Sequence, residues 1–179
     1  MKKIFGVLTV WMMLLLSFAC AEEWEPAPDG WTFVGYTYGG IEFALPDDSV
    51  MWELSEEQEN AGVIFLAGNA DFTVQLRQFT PDQMDYETFV DIIRQTESAE
   101  YEEVEVGGGP VFRYRNTEAN ENSELYGAVL TGLDGNLYKI SIFTGEDGDC
   151  GENAKVWQIA EELGQTVRSR DYSFLEEAE

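Results

Sequence analysis

Two runs of alternating apolar residues flank an Asp-Gly pair in the C-terminal third of the chain. The runs cover residues 125–131 and 137–144, and the pair lies at 134–135. An Asp-Gly pair between alternating runs is a strong short-range indication of a β-hairpin. Two further runs, 61–67 and 72–79, are separated by a Gly-Asn-Ala-Asp connection and predict a second hairpin. The chain is therefore expected to build an antiparallel sheet.

Further strands are predicted before and between these hairpins. Residues 31–38 alternate weakly and 41–45 alternate clearly, stopping at Pro-Asp-Asp. Segments 104–106 and 111–115 are strand-like and lie on either side of a Gly-Gly-Gly-Pro break, and the acidic stretch 97–105 leads into them. The acidic segment 52–60 is expected to form a loop or a single helical turn.

Two helices are predicted from a period of three to four residues. Thr80, Pro81 and Gln83 form a helix-start pattern, and the apolar spacing after them predicts a helix over about 86–95. A terminal helix is marked by an apolar stripe, with Arg168 and Arg170 expected at its end, where cations suit the helix dipole. The stripe consists of Val156, Ile159, Ala160, Leu163 and Val167. Antiparallel strands interrupted by helices that cover a sheet are typical of an α+β sandwich.

The N-terminal residues have the pattern of a secretory signal peptide, predicted over 1–21. A basic start at 1–3 precedes the uncharged apolar run 4–18, which is shorter than the roughly 20 residues of a membrane-spanning helix. The alternative is lipidation at Cys20, which would anchor the protein to a membrane. Residues 22–30 are predicted to be a polar tether and 31–179 a single α+β domain. The mature chain is expected to be secreted or extracytoplasmic, with no integral membrane segment.

Composition excludes several classes of function. The 179 residues include 35 acids against 10 Lys plus Arg, a net charge of −25, and no histidine. Nucleic acid is excluded as a partner because its binding requires Lys and Arg to neutralise phosphates. The missing histidine removes the commonest acid–base group near neutral pH and most transition-metal sites, so no cofactor and no enzymatic activity are predicted. Hydrophobic residues at 44% and aromatics at 13% indicate a folded chain.

The sequence near the start of the predicted domain resembles that of a known class of small secreted proteins. Residues 40–47 read Gly-Ile-Glu-Phe-Ala-Leu-Pro-Asp, and the turn 106–110 reads Val-Gly-Gly-Gly-Pro. Together with residues 138–143 and the amphipathic helix after them, they are similar to the Mog1/PsbP-like class. The resemblance covers about residues 31–170. It implies an antiparallel sheet with helices packed on it, and the class hosts several different activities.

Two groups of residues are candidate sites. Asp147, Asp149 and Glu152 supply the hard oxygen atoms that calcium prefers, although their spacing departs from an EF-hand loop. Aromatic rings could stack on sugars or anchor a peptide, or could instead fill the core. These aromatic candidates are Trp31, Tyr36, Tyr38 and Trp52.

The expected function is that of an exported, non-catalytic binding or accessory protein. Its partner would be a protein, a cationic peptide or a component of the cell envelope. Two alternatives stay open: a calcium-binding secreted protein, and a hydrolase that uses paired carboxylates on an envelope or extracellular polymer.

Overall fold

The computed structural model describes residues 26–107, 109–120, 123–145, 151 and 154–171. The predicted signal peptide, Cys20 and residues 22–25 of the predicted tether lie outside the described residues. Ten strands and three helices follow one another along the described chain. The strands are β1 Trp31–Tyr36, β2 Ile41–Pro46, β3 Val50–Met51, β4 Val63–Gly68, β5 Phe72–Phe79, β6 Ala99–Val106, β7 Gly109–Asn116, β8 Tyr126–Thr131, β9 Leu137–Thr144 and β10 Arg168–Ser169. The helices are α1 Glu56–Asn60, α2 Tyr86–Arg94 and α3 Lys155–Thr166.

The strands form two antiparallel sheets. The larger sheet has seven strands in the order β3-β4-β5-β9-β8-β7-β6, and the smaller has the order β1-β2-β10. Both predicted hairpins are confirmed, since β4 pairs with β5 and β8 with β9. The Asp-Gly turn sets the register of the second hairpin, in which Thr131 lies opposite Leu137 and Tyr126 opposite Ile142.

The seven-stranded sheet is covered on both faces. On its first face, β1, β2 and α3 enclose the main core, whose largest side chains include Tyr138, Phe43, Phe72 and Leu163. On its second face, α2 packs Phe89 and Val90 against Phe112, Val129 and Leu137. Full burial of each such side chain stabilises the fold by about 1.5–3 kcal/mol. The architecture is the α+β sandwich expected from the sequence.

Helix α2 was predicted over about 86–95 and spans Tyr86–Arg94, but its N-cap lies five residues after Thr80, where the predicted start pattern begins. The Thr80 pattern closes a turn, in which the Gln83 amide donates to the Thr80 carbonyl and the Gln83 side chain accepts from the Thr80 amide. The helix is capped by Asp85, whose carboxylate accepts a 2.8 Å bond from the Thr88 amide. This contact lowers the pKa of Asp85.

No helix among the described residues is long and apolar enough to cross a membrane.

The prediction that Arg168 and Arg170 complement the dipole of α3 was wrong. The chain turns extended at Val167, and Arg168 enters β10 opposite Glu42 of β2. Arg168 Nε donates to Glu42 Oε2 at 3.0 Å, and Arg170 Nη1 donates to Glu42 Oε1 at 2.6 Å. Glu42 is consequently buried in a strand whose alternation predicted it on the solvent side.

Strand β6 starts five residues before its predicted beginning. The acidic segment that was expected to lead into the strand forms most of it, with Glu100, Glu102 and Glu103 in regular pairing with β7. Glutamate has a low preference for strands, but an edge strand keeps such side chains in water. Strand β6 lies at the margin of the large sheet, where this condition holds.

Candidate functional site

A cleft of about 320 Å³ lies between the β6–β7 edge of the large sheet and helix α3. Its volume is at the small end of the roughly 300–1,000 Å³ that small-molecule sites occupy. Strand pairing builds one wall, because Glu100 lies opposite Arg115 and Glu102 opposite Arg113 on the same face. The residues that line it are Glu100, Tyr101, Glu102, Arg113, Tyr114, Arg115, Tyr126, Glu161 and Gln165. The cleft therefore combines two cations with three carboxylates.

Arg113 is the buried charge of the cleft, with only 9% of its side chain exposed. Its Nη1 donates to Glu102 Oε1 at 3.3 Å, and its Nη2 donates to the backbone carbonyl of Gln165 at 3.2 Å. That carbonyl lies in the last turn of α3, which carries partial negative charge. The buried Nε of Arg113 has no hydrogen-bond partner among the described residues. Arg113 thus joins the sheet edge to the helix, while its buried Nε makes no hydrogen bond to a described residue.

Arg115 is held more loosely. Its guanidinium lies over the ring of Trp157 at 4.2 Å, which is cation–π stacking. Its nearest carboxylate oxygen belongs to Glu161 at 3.6 Å, which is an ion pair but too long for a hydrogen bond. The Nε is buried and without a partner among the described residues. A guanidinium has five N–H donors, so Arg115 has unused hydrogen-bonding capacity in the cleft.

Helix α3 passes Tyr126, one of the residues that line the cleft, at close range. A Cβ on Gly164 would lie 2.5 Å from Cε1 of Tyr126, so glycine is needed at this helical position. Burial is the main reason that the pKa of Tyr126 rises to about 12. Tyr126 is therefore neutral at physiological pH and lines the cleft as a neutral ring.

Strand β6 has a free backbone edge beside the cleft. Among the described strands its only neighbour is β7. The Thr117 amide donates to the Ser98 carbonyl, across the β6–β7 pair. The Ala99 amide instead donates to the carbonyl of Thr96, which precedes β6 in the chain. Because backbone groups alternate in an antiparallel pair, Tyr101, Glu103 and Glu105 direct their N–H and C=O groups away from β7. These positions can pair with an added strand.

Helix α2 supports the same strand from the second face. Glu103 accepts a 2.8 Å bond from the Tyr86 hydroxyl and a 3.1 Å bond from Arg94 Nη2. Burial, followed by the contact with Glu103, raises the pKa of Tyr86 above its usual value. The Tyr101 ring stacks on Phe112 with centroids 5.5 Å apart. The edge strand is thus held firmly on the side where its side chains meet the helix.

The aromatic candidates do not form one platform. Tyr36 and Tyr38 contact each other with ring centroids 5.9 Å apart, and Tyr38 is 82% exposed. Trp31 lies at the opposite end of β1, opposite Pro46, and packs against the main core. Trp52 follows β3, where its ring approaches Gly68. The structure brings together only the two tyrosines.

The calcium candidates Asp147, Asp149 and Glu152 lie outside the described residues, so their role stays a prediction. Among the residues that are described, no group of three or more Cys, Asp or Glu side chains could hold a metal ion.

The arginines of the cleft were not predicted as functional residues, although the sequence contains a usable indication. A two-residue connection after Val106 pairs the Glu-rich strand with the Arg-containing strand that follows. Glu102 then falls opposite Arg113, and Glu100 opposite Arg115. Helix α3 could not have been placed over them from local patterns, because Gln165 is separated from Arg113 by 52 positions.

The fold is PsbP-like. No family model matches the chain, and no curated protein matches it. Among solved structures, the solution structure of cyanobacterial PsbP (CyanoP) from Synechocystis sp. PCC 6803 is similar, with a TM-score of 0.53. The two chains are 16% identical, and the match covers 84% of this chain and 96% of that chain. At this identity the likeness defines the fold alone, and it confirms the fold expected from the sequence.

Proposed function

We propose that this protein is a non-catalytic binding or accessory protein that acts outside the cytoplasm. The pattern of residues 1–21 supports export, and the PsbP-like fold is compatible with an accessory role. In the cleft, Glu102 and Glu161 each contact an arginine, an arrangement that favours ion pairing over acid–base chemistry.

The observation that carries the proposal is the free edge of β6. An extended segment of a partner can add to such an edge through main-chain hydrogen bonds, with side chains providing specificity. The eight-residue strand carries four glutamates and no cation. A second copy of the chain would bring the same acidic strand and be repelled, whereas a segment rich in Lys or Arg would be attracted. The partner is thus a protein with an extended cationic segment.

The same features would also arise if the glutamates served only to prevent edge-to-edge aggregation. A labelled decapeptide that alternates lysine with threonine separates the two explanations by fluorescence anisotropy, with the glutamate analogue as the peptide control. Binding of the lysine peptide alone is expected, weakening as salt rises.

Variants at Glu105 test whether the backbone takes part. Glu105→Pro removes one outward N–H without touching the pairing with β7, and Glu105→Gln removes only the charge. We expect Glu105→Pro to weaken peptide binding about tenfold beyond Glu105→Gln, the effect of one hydrogen bond of roughly 1.4 kcal/mol. Glu57→Gln on α1 is the control for loss of a distant acid. Equal binding by Glu105→Pro and Glu105→Gln would reduce the interaction to general charge attraction and refute strand addition.

A further inference from the structure

We propose that the cleft between α3 and the β6–β7 edge binds a free amino acid with a cationic side chain, through both its carboxylate and its ammonium groups. The site is distinct from the β6 edge and does not depend on the proposed function. Its ligand is a small molecule, whereas the edge would take a chain segment.

The carboxylate is recognised by Arg115. This guanidinium makes no hydrogen bond to a described residue, and its one ion pair, at 3.6 Å, is with a Glu161 side chain that is 55% exposed. Exposed ion pairs contribute little to stability, so Glu161 is easily displaced. A third of the Arg115 side chain is exposed, and its guanidinium lies against the ring of Trp157. A carboxylate could form the paired N–H···O bonds that the fork geometry of arginine favours.

A second guanidinium strengthens the attraction for an anion. Arg113 is nine-tenths buried, and its Nε lacks a partner among the described residues. Its contact with Glu102 is long, at 3.3 Å, and that glutamate is 60% exposed. Charge-assisted pairs of good geometry are shorter, at about 2.7–2.9 Å. Both arginines are therefore incompletely satisfied by the carboxylates of their own chain.

The three glutamates determine the rest of the ligand. A simple carboxylic acid would be repelled by Glu100, Glu102 and Glu161, which outnumber the two arginines. A ligand that also carries ammonium groups turns this repulsion into attraction. Lysine and arginine as free amino acids carry one carboxylate and two cationic groups, so that they bring the net charge of the occupied cleft to zero. Their size suits a cleft of about 320 Å³.

The test compares L-lysine with L-lysinamide by isothermal titration calorimetry. The amide keeps both ammonium groups and loses the carboxylate, so general attraction to an acidic protein would make it bind more tightly. The proposal requires the opposite order. L-lysine is expected to bind with a Kd on the order of 1 mM, given its few atoms, and L-lysinamide at least tenfold more weakly. Tighter or equal binding of L-lysinamide would overturn the proposal. The absence of L-lysine binding at ten times its expected Kd would overturn it as well.

Two arginine variants locate the site. Arg115→Gln should weaken L-lysine binding at least tenfold and leave the decapeptide's binding to the β6 edge unchanged. Arg94→Gln is the matched control, since Arg94 also lies over an aromatic ring and pairs with glutamate but is outside the cleft. Glu105→Pro should leave L-lysine binding unchanged, which separates this site from strand addition. If Arg115→Gln is folded by circular dichroism and binds L-lysine normally, the assignment is wrong.

Discussion

Replacing Glu42 with glutamine should destabilise the protein more than any other single loss of charge on the large or small sheet. Only 3% of the Glu42 side chain is exposed, and its two oxygens accept bonds from Arg168 at 3.0 Å and Arg170 at 2.6 Å. These two bonds join β10 and the residue directly after it to β2, the only strand that pairs with β10 in the small sheet. In Glu42→Gln the shape is kept, but the negative charge is lost and one oxygen becomes a donor that faces a guanidinium.

The magnitude follows from the burial of the three side chains. Removing one member of a buried ion pair typically costs about 3–5 kcal/mol. Arg168 and Arg170 keep 16% and 25% side-chain exposure, so water can take over part of the lost interaction. We therefore expect a loss of about 2–4 kcal/mol, or roughly 5–15 °C in Tm for a chain of this size. Such a loss is a large part of a typical stability of about 5–15 kcal/mol.

The assay is urea unfolding followed by circular dichroism, with Glu103→Gln as the matched control. Glu103 also accepts bonds from two side chains, but 41% of it is exposed, so its loss should cost no more than about 1 kcal/mol. Amide exchange at Arg168 and Ser169 should accelerate in Glu42→Gln alone, because β10 is released. Equal losses in the two variants, or unchanged exchange in β10, would refute the argument that burial makes the Glu42 bonds strong.

Three further outcomes follow from the cleft and its edge strand. In Gly164→Ala the clash with Tyr126 should cost about 1–3 kcal/mol of stability, and the better helix preference of alanine should return about 1 kcal/mol. Thermal unfolding measures the net loss. The raised pKa of Tyr126, about 12, means that the unfolded state ionises first, so stability should fall as pH rises from about 10 to about 12. This fall should be smaller in Tyr126→Phe. Val104→Pro, which removes a bond to β7, should cost about 1–3 kcal/mol, whereas Glu105→Pro should cost much less in the same urea assay.

The parts of the fold that local chemistry determines were predictable. The hairpins β4–β5 and β8–β9 follow from alternating runs around short polar turns, and the apolar stripes gave α2 and α3. The bounds of α2 were predicted correctly but its cap was not, because Thr80 and Gln83 have a pattern that closes a turn as readily as it starts a helix. Local patterns cannot distinguish the two, since both satisfy the same backbone donors.

The features that depend on distant partners were not predictable. The alternation of apolar and polar residues in β2 predicts that Glu42 faces solvent. Its burial depends on Arg168 and Arg170, which lie 126 and 128 positions away in the chain. The cleft has the same origin, because α3 brings Glu161 and Gln165 to a sheet edge formed far earlier in the chain. The length of β6 was underestimated because glutamate has a low preference for strands, and the local sequence does not show that this strand lies at the margin of a sheet.

The way the protein uses its few cations links the two proposed binding sites. Lys2 and Lys3 lie outside the described residues. Each of the other Lys and Arg side chains except Arg77 lies within 4.0 Å of a carboxylate oxygen of a described residue. The cations therefore join the protein's own elements, and the acidic surplus remains for partners. Such a surface attracts cationic segments along β6. The guanidinium of Arg115 is the loosely held exception in the cleft, which is why a ligand there must offer a carboxylate as well as positive charge.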